Sequence, residues 1–99
     1  MKLKFNEKIK DLEGNVLKDN GKELTLLNVT TTSLLAVFDD ERIDGQEKAK
    51  RGMLAIKIHS NPDVELTVEE VALIKRLIGK TYVPLVVARA YEIIEEGGK

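Results

Sequence analysis

The single histidine is the first residue to consider for catalysis or metal binding. His59 is the only histidine, and the chain has no cysteine. A zinc site needs several ligands, and a nucleophilic triad needs a nucleophile and an acid beside its histidine. No such partners can be named from the spacing. We therefore interpret His59 as an ordinary residue near the C-terminus of a helix.

Oxygen-bearing side chains near the N-terminus offer a second chemistry, the binding of calcium. The residues concerned are Asp11, Glu13, Asp19 and Asn20. Their spacing does not match an EF-hand loop, which ends in a bidentate glutamate. Two turns explain the same segments without calcium, because Gly and Asn tolerate positive φ. We expect turns here.

An acidic run, DDERID at positions 39–44, offers a third chemistry. Three successive carboxylates could bind a cation. A solvated connector between two helices is the favoured interpretation, because charged loops run over protein surfaces and Asp44 is well placed to cap the next helix. The sequence therefore predicts neither a catalytic residue nor a metal or cofactor site.

The composition is typical of one globular domain spanning residues 1–99. Hydrophobic residues make up 42% and charged residues 33%, which suits a single modest core. The net charge is −1, so no overall field draws the chain to a polyanion. No run is apolar enough to span a bilayer, and no membrane partner is expected. The lack of cysteine suits a reducing cytoplasm.

The elements that must position these residues begin with a β-hairpin region, residues 1–24. The segment LKFNEKIK, at 3–10, alternates apolar and polar side chains, which predicts a half-buried strand. Turns are predicted at 11–15 and 19–22 from their Gly and Asn residues. Val16 and Leu17 can form a short return strand.

Two helices are predicted next. Thr25 is typical of an N-cap and precedes a helix over 26–38, although the hydroxyl-rich run at 30–33 leaves a strand over 29–33 as the alternative. A second helix is predicted over 46–60. Its buried face is expected to have one edge at Ala49, Met53 and Ile56 and another at Leu54 and Ile58. Gly52 lies inside this helix and permits close approach of a neighbouring backbone.

The stretch from Leu66 to Glu96 predicts two further helices. Thr67 and Glu70 form a capping box, and Gly79 is expected to end the first helix after Ile78. Pro84 suits the first position of the last helix, 84–96, which is apolar on nearly every side. Such a helix is either central to the fold or part of an oligomer interface. Residues 97–99 are expected to be a frayed tail.

These elements predict an α+β, mainly α protein, with an N-terminal β-hairpin followed by a compact three- to four-helix bundle over residues 25–96. The last two helices resemble a helix-turn-helix in outline. The second of them offers one basic residue, Arg89, which disfavours DNA reading. Interspersed basic residues could instead form an interaction surface, and nucleic acid stays possible but not favoured. The candidate residues of that surface are Lys48, Arg51, Lys75, Arg76 and Lys80.

Three segments carry a family resemblance: DNGKELTLL at 19–27, DGQEK at 44–48, and LTVEEVALIKRLIGKTYVPLVVARAYEIIEE at 66–96. Together they resemble small proteins encoded by phages and prophages. The resemblance implies a bacterial host cell, in the cytoplasm or associated with the virion. We expect a non-enzymatic protein-interaction module, a phage-derived structural or assembly factor that works as a homo-oligomer. The alternative is a small phage regulator that binds nucleic acid or inhibits a host protein.

Overall fold

The computed structural model describes residues 1–97, which form a two-stranded hairpin followed by four helices. This confirms the predicted fold class. The elements are β1 (Lys18–Asp19), β2 (Lys22–Glu23), α1 (Leu26–Leu35), α2 (Gly45–Ser60), α3 (Val68–Thr81) and α4 (Pro84–Gly97). Gly97 belongs to α4 and not to a frayed tail, and the rest of that predicted tail, residues 98–99, lies outside the described residues. No helix within residues 1–97 is long and apolar enough to cross a membrane.

The hairpin turns on Asn20 and Gly21. These two residues have φ of 53° and 80°, and they connect β1 to β2 with Asp19 opposite Lys22. Positive φ at both central positions gives the turn the twist that a two-residue hairpin needs. Upstream, the segment 3–10 is not a continuous strand, since only Lys8 and Lys10 form isolated bridges. Its alternation is confirmed nonetheless, because its core-facing residues are buried: Leu3, Phe5 and Ile9.

Helix α1 begins at the predicted cap. The Thr25 side chain accepts a hydrogen bond from the backbone N–H of Asn28. The Asn28 side chain accepts one from the backbone N–H of Thr25, which completes a capping box. The hydroxyl-rich run is helical and not a strand, and the buried hydroxyl of Ser33 is satisfied within the helix by donating to the Val29 carbonyl at 2.7 Å. The helix stops at Leu35, short of the predicted end, since Ala36 is extended with ψ of 149°.

Helix α3 passes through Gly79, so the prediction that Gly79 ends it is wrong. The helix continues to Thr81 and ends on Tyr82, whose N–H donates to the Ile78 carbonyl at 3.1 Å. The presence of a glycine at position 79 is explained by packing and not by helix termination. A Cβ at this position would lie 3.1 Å from the hydroxyl oxygen of Tyr91, which donates to the Lys75 carbonyl. The predicted capping box of Thr67 and Glu70 and the start of α4 at Pro84 are confirmed.

Helix α1, and not α4, is central. It packs against α2, α3 and α4, whereas α4 packs against α1 and α3. The backbones of α2 and α3 do not approach within 8 Å between Cα atoms, so both are held together through α1. The buried face of α4 is a single stripe: Val86, Ala90, Ile93 and Ile94. Its opposite side includes the exposed residues Ala88 and Glu92, so the breadth of its apolar face requires no oligomer.

Candidate functional site

The predicted basic surface and the predicted acidic loop meet in one ionic cluster around Glu41. Arg51 donates from Nη1 to Glu41 Oε1 at 2.9 Å and from Nη2 to Oε2 at 3.2 Å. Arg76 donates to Oε2 at 3.1 Å, and Arg51 Nε donates to Glu47 at 3.1 Å. Lys80 lies 3.7 Å from Glu41. Paired guanidinium–carboxylate bonds of this kind fix geometry as well as charge.

This cluster shifts two pKa values in the direction that keeps both partners ionised. Hydrogen bonds from Arg51, then from Arg76, lower the pKa of Glu41 from 4.5 to about 2, and the charge of Lys80 acts in the same direction. The hydrogen bond to Glu41 raises the pKa of Arg51 above its usual range. A general acid or base works best with a pKa near the operating pH. Both shifts lead away from neutrality, so the cluster is suited to holding charge and not to moving protons.

The five candidate surface residues divide into three groups in the structure: the residues of the Glu41 cluster, Lys75, and Lys48. Arg51, Arg76 and Lys80 converge on the 36–44 loop, where Lys80 also bonds Asp40 at 3.1 Å and lies 4.7 Å from the ring centre of Phe38. Lys75 is separate: it bonds Glu95 at 3.3 Å and lies over the ring of Tyr91.

Arg51 is only 3% exposed, so it cannot belong to an accessible surface as predicted. Its burial follows from its partners, because three carboxylate oxygens satisfy the guanidinium inside the protein. Lys48 is the one candidate that is exposed and forms no ion pair with any of residues 1–97.

The carboxylate of Asp11 is engaged in the turn that was predicted there. Asp11 Oδ1 accepts the backbone N–H groups of Glu13 and Asn15, at 3.0 and 2.9 Å. Arg89 crosses from α4 to donate to the carbonyls of Lys10 and Asp11, at 3.2 and 2.8 Å. Arg89 therefore fastens the turn to the last helix. Among the described residues, no three His, Cys, Asp or Glu side chains are grouped so that they could hold a metal ion.

A second apolar stripe on α2 faces solvent. Met53 and Ile56 are 69% and 66% exposed, and Ala49 is exposed beside them. The prediction that these residues form an edge of the buried face is wrong. The side of α2 that is buried carries Arg51, Leu54, Ala55 and Ile58. With 3.6 residues per turn, positions 49, 52, 53 and 56 form one stripe away from that side. We call Ala49, Gly52, Met53 and Ile56 the outer face of α2.

The outer face of α2 continues into apolar clefts beside the end of α1. A cleft of about 250 Å³ is lined by Leu35, Val37 and Gly52, among others, and one of about 270 Å³ is lined by Leu35, Ile56 and His59. Both clefts share Leu35, so the exposed apolar side chains of Leu35 and Val37 lie next to the outer face of α2. His59, exposed in the last turn of α2, lines the second cleft.

A wider groove lies on the other side of the outer face, between α2 and α3. It measures about 800 Å³ and is lined by Met53 and Leu73, with charged side chains around them. Comparisons of this chain with protein-family models, with curated protein sequences and with solved structures find no match.

Proposed function

We propose that this protein is a non-enzymatic protein-interaction module that binds another protein through the outer face of α2. The observation that carries the proposal is the exposure of Met53 and Ile56, in a stripe that continues into the clefts at Leu35. Exposed large side chains scattered singly are ordinary, whereas a contiguous apolar patch with a charged rim is typical of a protein contact. The phage or prophage setting implied by the resemblance belongs to this proposal.

The charges of the candidate basic surface favour a protein partner over nucleic acid. Binding to a phosphate backbone needs several cations that are free to release counterions. Arg51, Arg76 and Lys80 are engaged with Glu41 and Asp40, and Arg89 is engaged with backbone carbonyls. The cations of α2 that stay outside ion pairs, Lys48 and Lys50, flank an apolar stripe. Apolar side chains at the centre of a patch suit a protein surface.

Site-specific photo-crosslinking tests the proposal. A benzophenone amino acid is placed at Met53 in one variant and at Val68 in another, and each is irradiated in an extract of the cells that make the protein. The control is well matched, because Val68 is an apolar residue on α3 that is 70% exposed. We expect an adduct of one discrete mass from position 53 and none from position 68. Equal adducts from both positions, or none from position 53, would contradict the proposal.

A further inference from the structure

The exposed charge of α2 has a single sign. Its exposed ionisable residues are Lys48, Lys50, Lys57 and His59. The acidic residue of this helix, Glu47, is turned to the buried side and bonds Arg51. Lys57 lies 3.7 Å from Glu70 on α3, while Lys48 and Lys50 form no ion pair with any residue the structure describes. Lysines of α2 therefore border its outer face on both sides; across the groove, α3 adds Glu69, which is exposed, and Glu70, which pairs with Lys57.

Gly52, midway along the length of this face, leaves room that the fold itself does not use. A Cβ built at Gly52 meets no atom within 4 Å, so no neighbouring element of this chain requires the glycine. Glycine is among the least helix-favouring residues, and here it lies in the middle of a helix of 16 residues. Gly52 lines the cleft beside Leu35 and Val37, and its missing side chain leaves a shallow site there, where the axis of another helix can come close.

The charge pattern selects among the possible occupants. A second copy packed on the same face sets lysines against lysines in either orientation, which opposes association. A nucleic acid would place phosphates against the apolar side chains of Met53 and Ile56. An amphipathic helix with carboxylates on both sides of its apolar stripe matches three features of α2: the exposed apolar side chains, the shallow site at Gly52 and the unpaired lysines.

Resting on the proposed function, we infer that the partner of the outer face of α2 is an acidic amphipathic helix of a different protein. Its apolar residues recur at i, i+3, i+4 and i+7 and lie over Gly52. Its Asp or Glu side chains pair with Lys48 on one side and Lys50 on the other. Because the stripe from Ala49 to Ile56 covers about two turns, a partner helix of about 14 residues is long enough to cover it.

Two model peptides of about 14 residues test this inference with the full chain. Both carry Leu in the stripe pattern; one has Glu on its flanks and its twin has Lys. Binding is measured by fluorescence anisotropy at low and at physiological salt. We expect the acidic peptide to bind about tenfold more tightly than the basic one, with an advantage that shrinks as salt rises. Changing both lysines together, Lys48→Glu with Lys50→Glu, should reverse the preference.

Gly52→Gln separates binding from folding. Since a Cβ at this position meets no atom within 4 Å and Gln favours a helix more than Gly does, thermal unfolding should not occur at a lower temperature than in the parent chain. The added side chain occupies the shallow site, so the acidic peptide should bind about tenfold more weakly. Unchanged binding by this variant would overturn the inference.

Four further outcomes would also overturn it. Equal binding of both peptides would remove the role of charge. If light scattering shows a dimer as the protein is concentrated, and Gly52→Gln abolishes that dimer, the occupant is a second copy of this chain. If duplex DNA displaces the acidic peptide, the occupant is nucleic acid. If neither peptide binds while position 53 still crosslinks to one protein, the helix inference fails and the proposed function stands.

Discussion

The guanidinium of Arg51 donates hydrogen bonds to both carboxylate oxygens of Glu41, at 2.9 and 3.2 Å. One partner belongs to α2 and the other to the 36–44 loop. Arg76 of α3 bonds the same carboxylate at 3.1 Å, so Glu41 connects two helices whose backbones do not touch. The basic residues gathered here are engaged within the fold. The outer face of α2 lies on the opposite, outward side of that helix.

Acid should weaken the protein through Glu41. Its pKa falls from 4.5 to about 2 on folding, so between these values the unfolded chain binds more protons than the folded one. Stability contributed by Glu41 is therefore present above about pH 5 and is lost as the pH falls toward 2.

We expect Glu41→Gln to flatten the fall in urea-unfolding free energy between pH 5 and 2. Glu13→Gln, at an exposed turn position without an ion pair among residues 1–97, should leave the profile unchanged. Identical profiles for all three proteins would contradict the role of Glu41.

Arg51 and Lys48 should differ sharply although both are basic residues of α2. Arg51→Ala leaves Glu41 and Glu47 without their shared donor, and we expect the midpoint of thermal unfolding to fall by at least about 5 °C. Lys48→Ala removes an exposed side chain and should leave the midpoint unchanged. Calorimetry of the two variants at neutral pH makes the comparison. A similar midpoint for both would show that the cluster around Glu41 does not stabilise the fold.

Thr30 carries the one buried side-chain polar atom that lacks a hydrogen-bond partner among the described residues. Replacing its hydroxyl by a methyl of similar size removes that unmet group, so Thr30→Val should stabilise the protein by about 1 kcal/mol. Thr32→Val, at an exposed position of the same helix, is the matched control for the change in side-chain type. Urea unfolding checks both. A loss of stability in Thr30→Val would mean that its hydroxyl has a partner, such as a bound water.

Two helical glycines should respond differently to alanine. Gly52→Ala meets no atom and gains helix propensity, so it should stabilise the isolated chain by up to about 1 kcal/mol. Gly79→Ala brings a Cβ to 3.1 Å from the Tyr91 hydroxyl oxygen, which offsets that gain. Tyr91→Phe removes the obstructing atom.

The double variant Gly79→Ala with Tyr91→Phe should therefore have a higher free energy of unfolding than the effects of the two single changes, added together, predict. Strict additivity in a double-mutant cycle would rule out the crowding.

Local signals made much of this fold predictable. Thr25, Asp44 and Thr67 cap the helices they were expected to cap, because an N-cap depends on a side chain and the backbone a few residues away. Asn20 and Gly21 predict the hairpin turn just as locally, because both residue types tolerate the positive φ that the turn needs. Such features need no knowledge of distant partners.

Tertiary contacts decided what the local signals could not. Gly79 resembles a helix terminus in sequence, and only Tyr91, on another helix, reveals its packing role. Arg51 resembles a surface residue until Glu41 is placed beside it.

Helix α2 carries two apolar stripes, and the sequence does not say which of them α1 covers. That ambiguity hid the outer face. The signal that could have revealed it was the presence of more apolar directions on α2 than one neighbouring helix can bury.

Nitrogen–proton correlation spectra of the full chain, recorded while the acidic peptide is added, test the central claim most directly. They report which surface meets a helical partner. We expect the largest shifts at Gly52, Met53 and Ile56, with small changes at Arg76 and Lys80. Shifts centred on Arg76 and Lys80, with none on the outer face of α2, would contradict the claim.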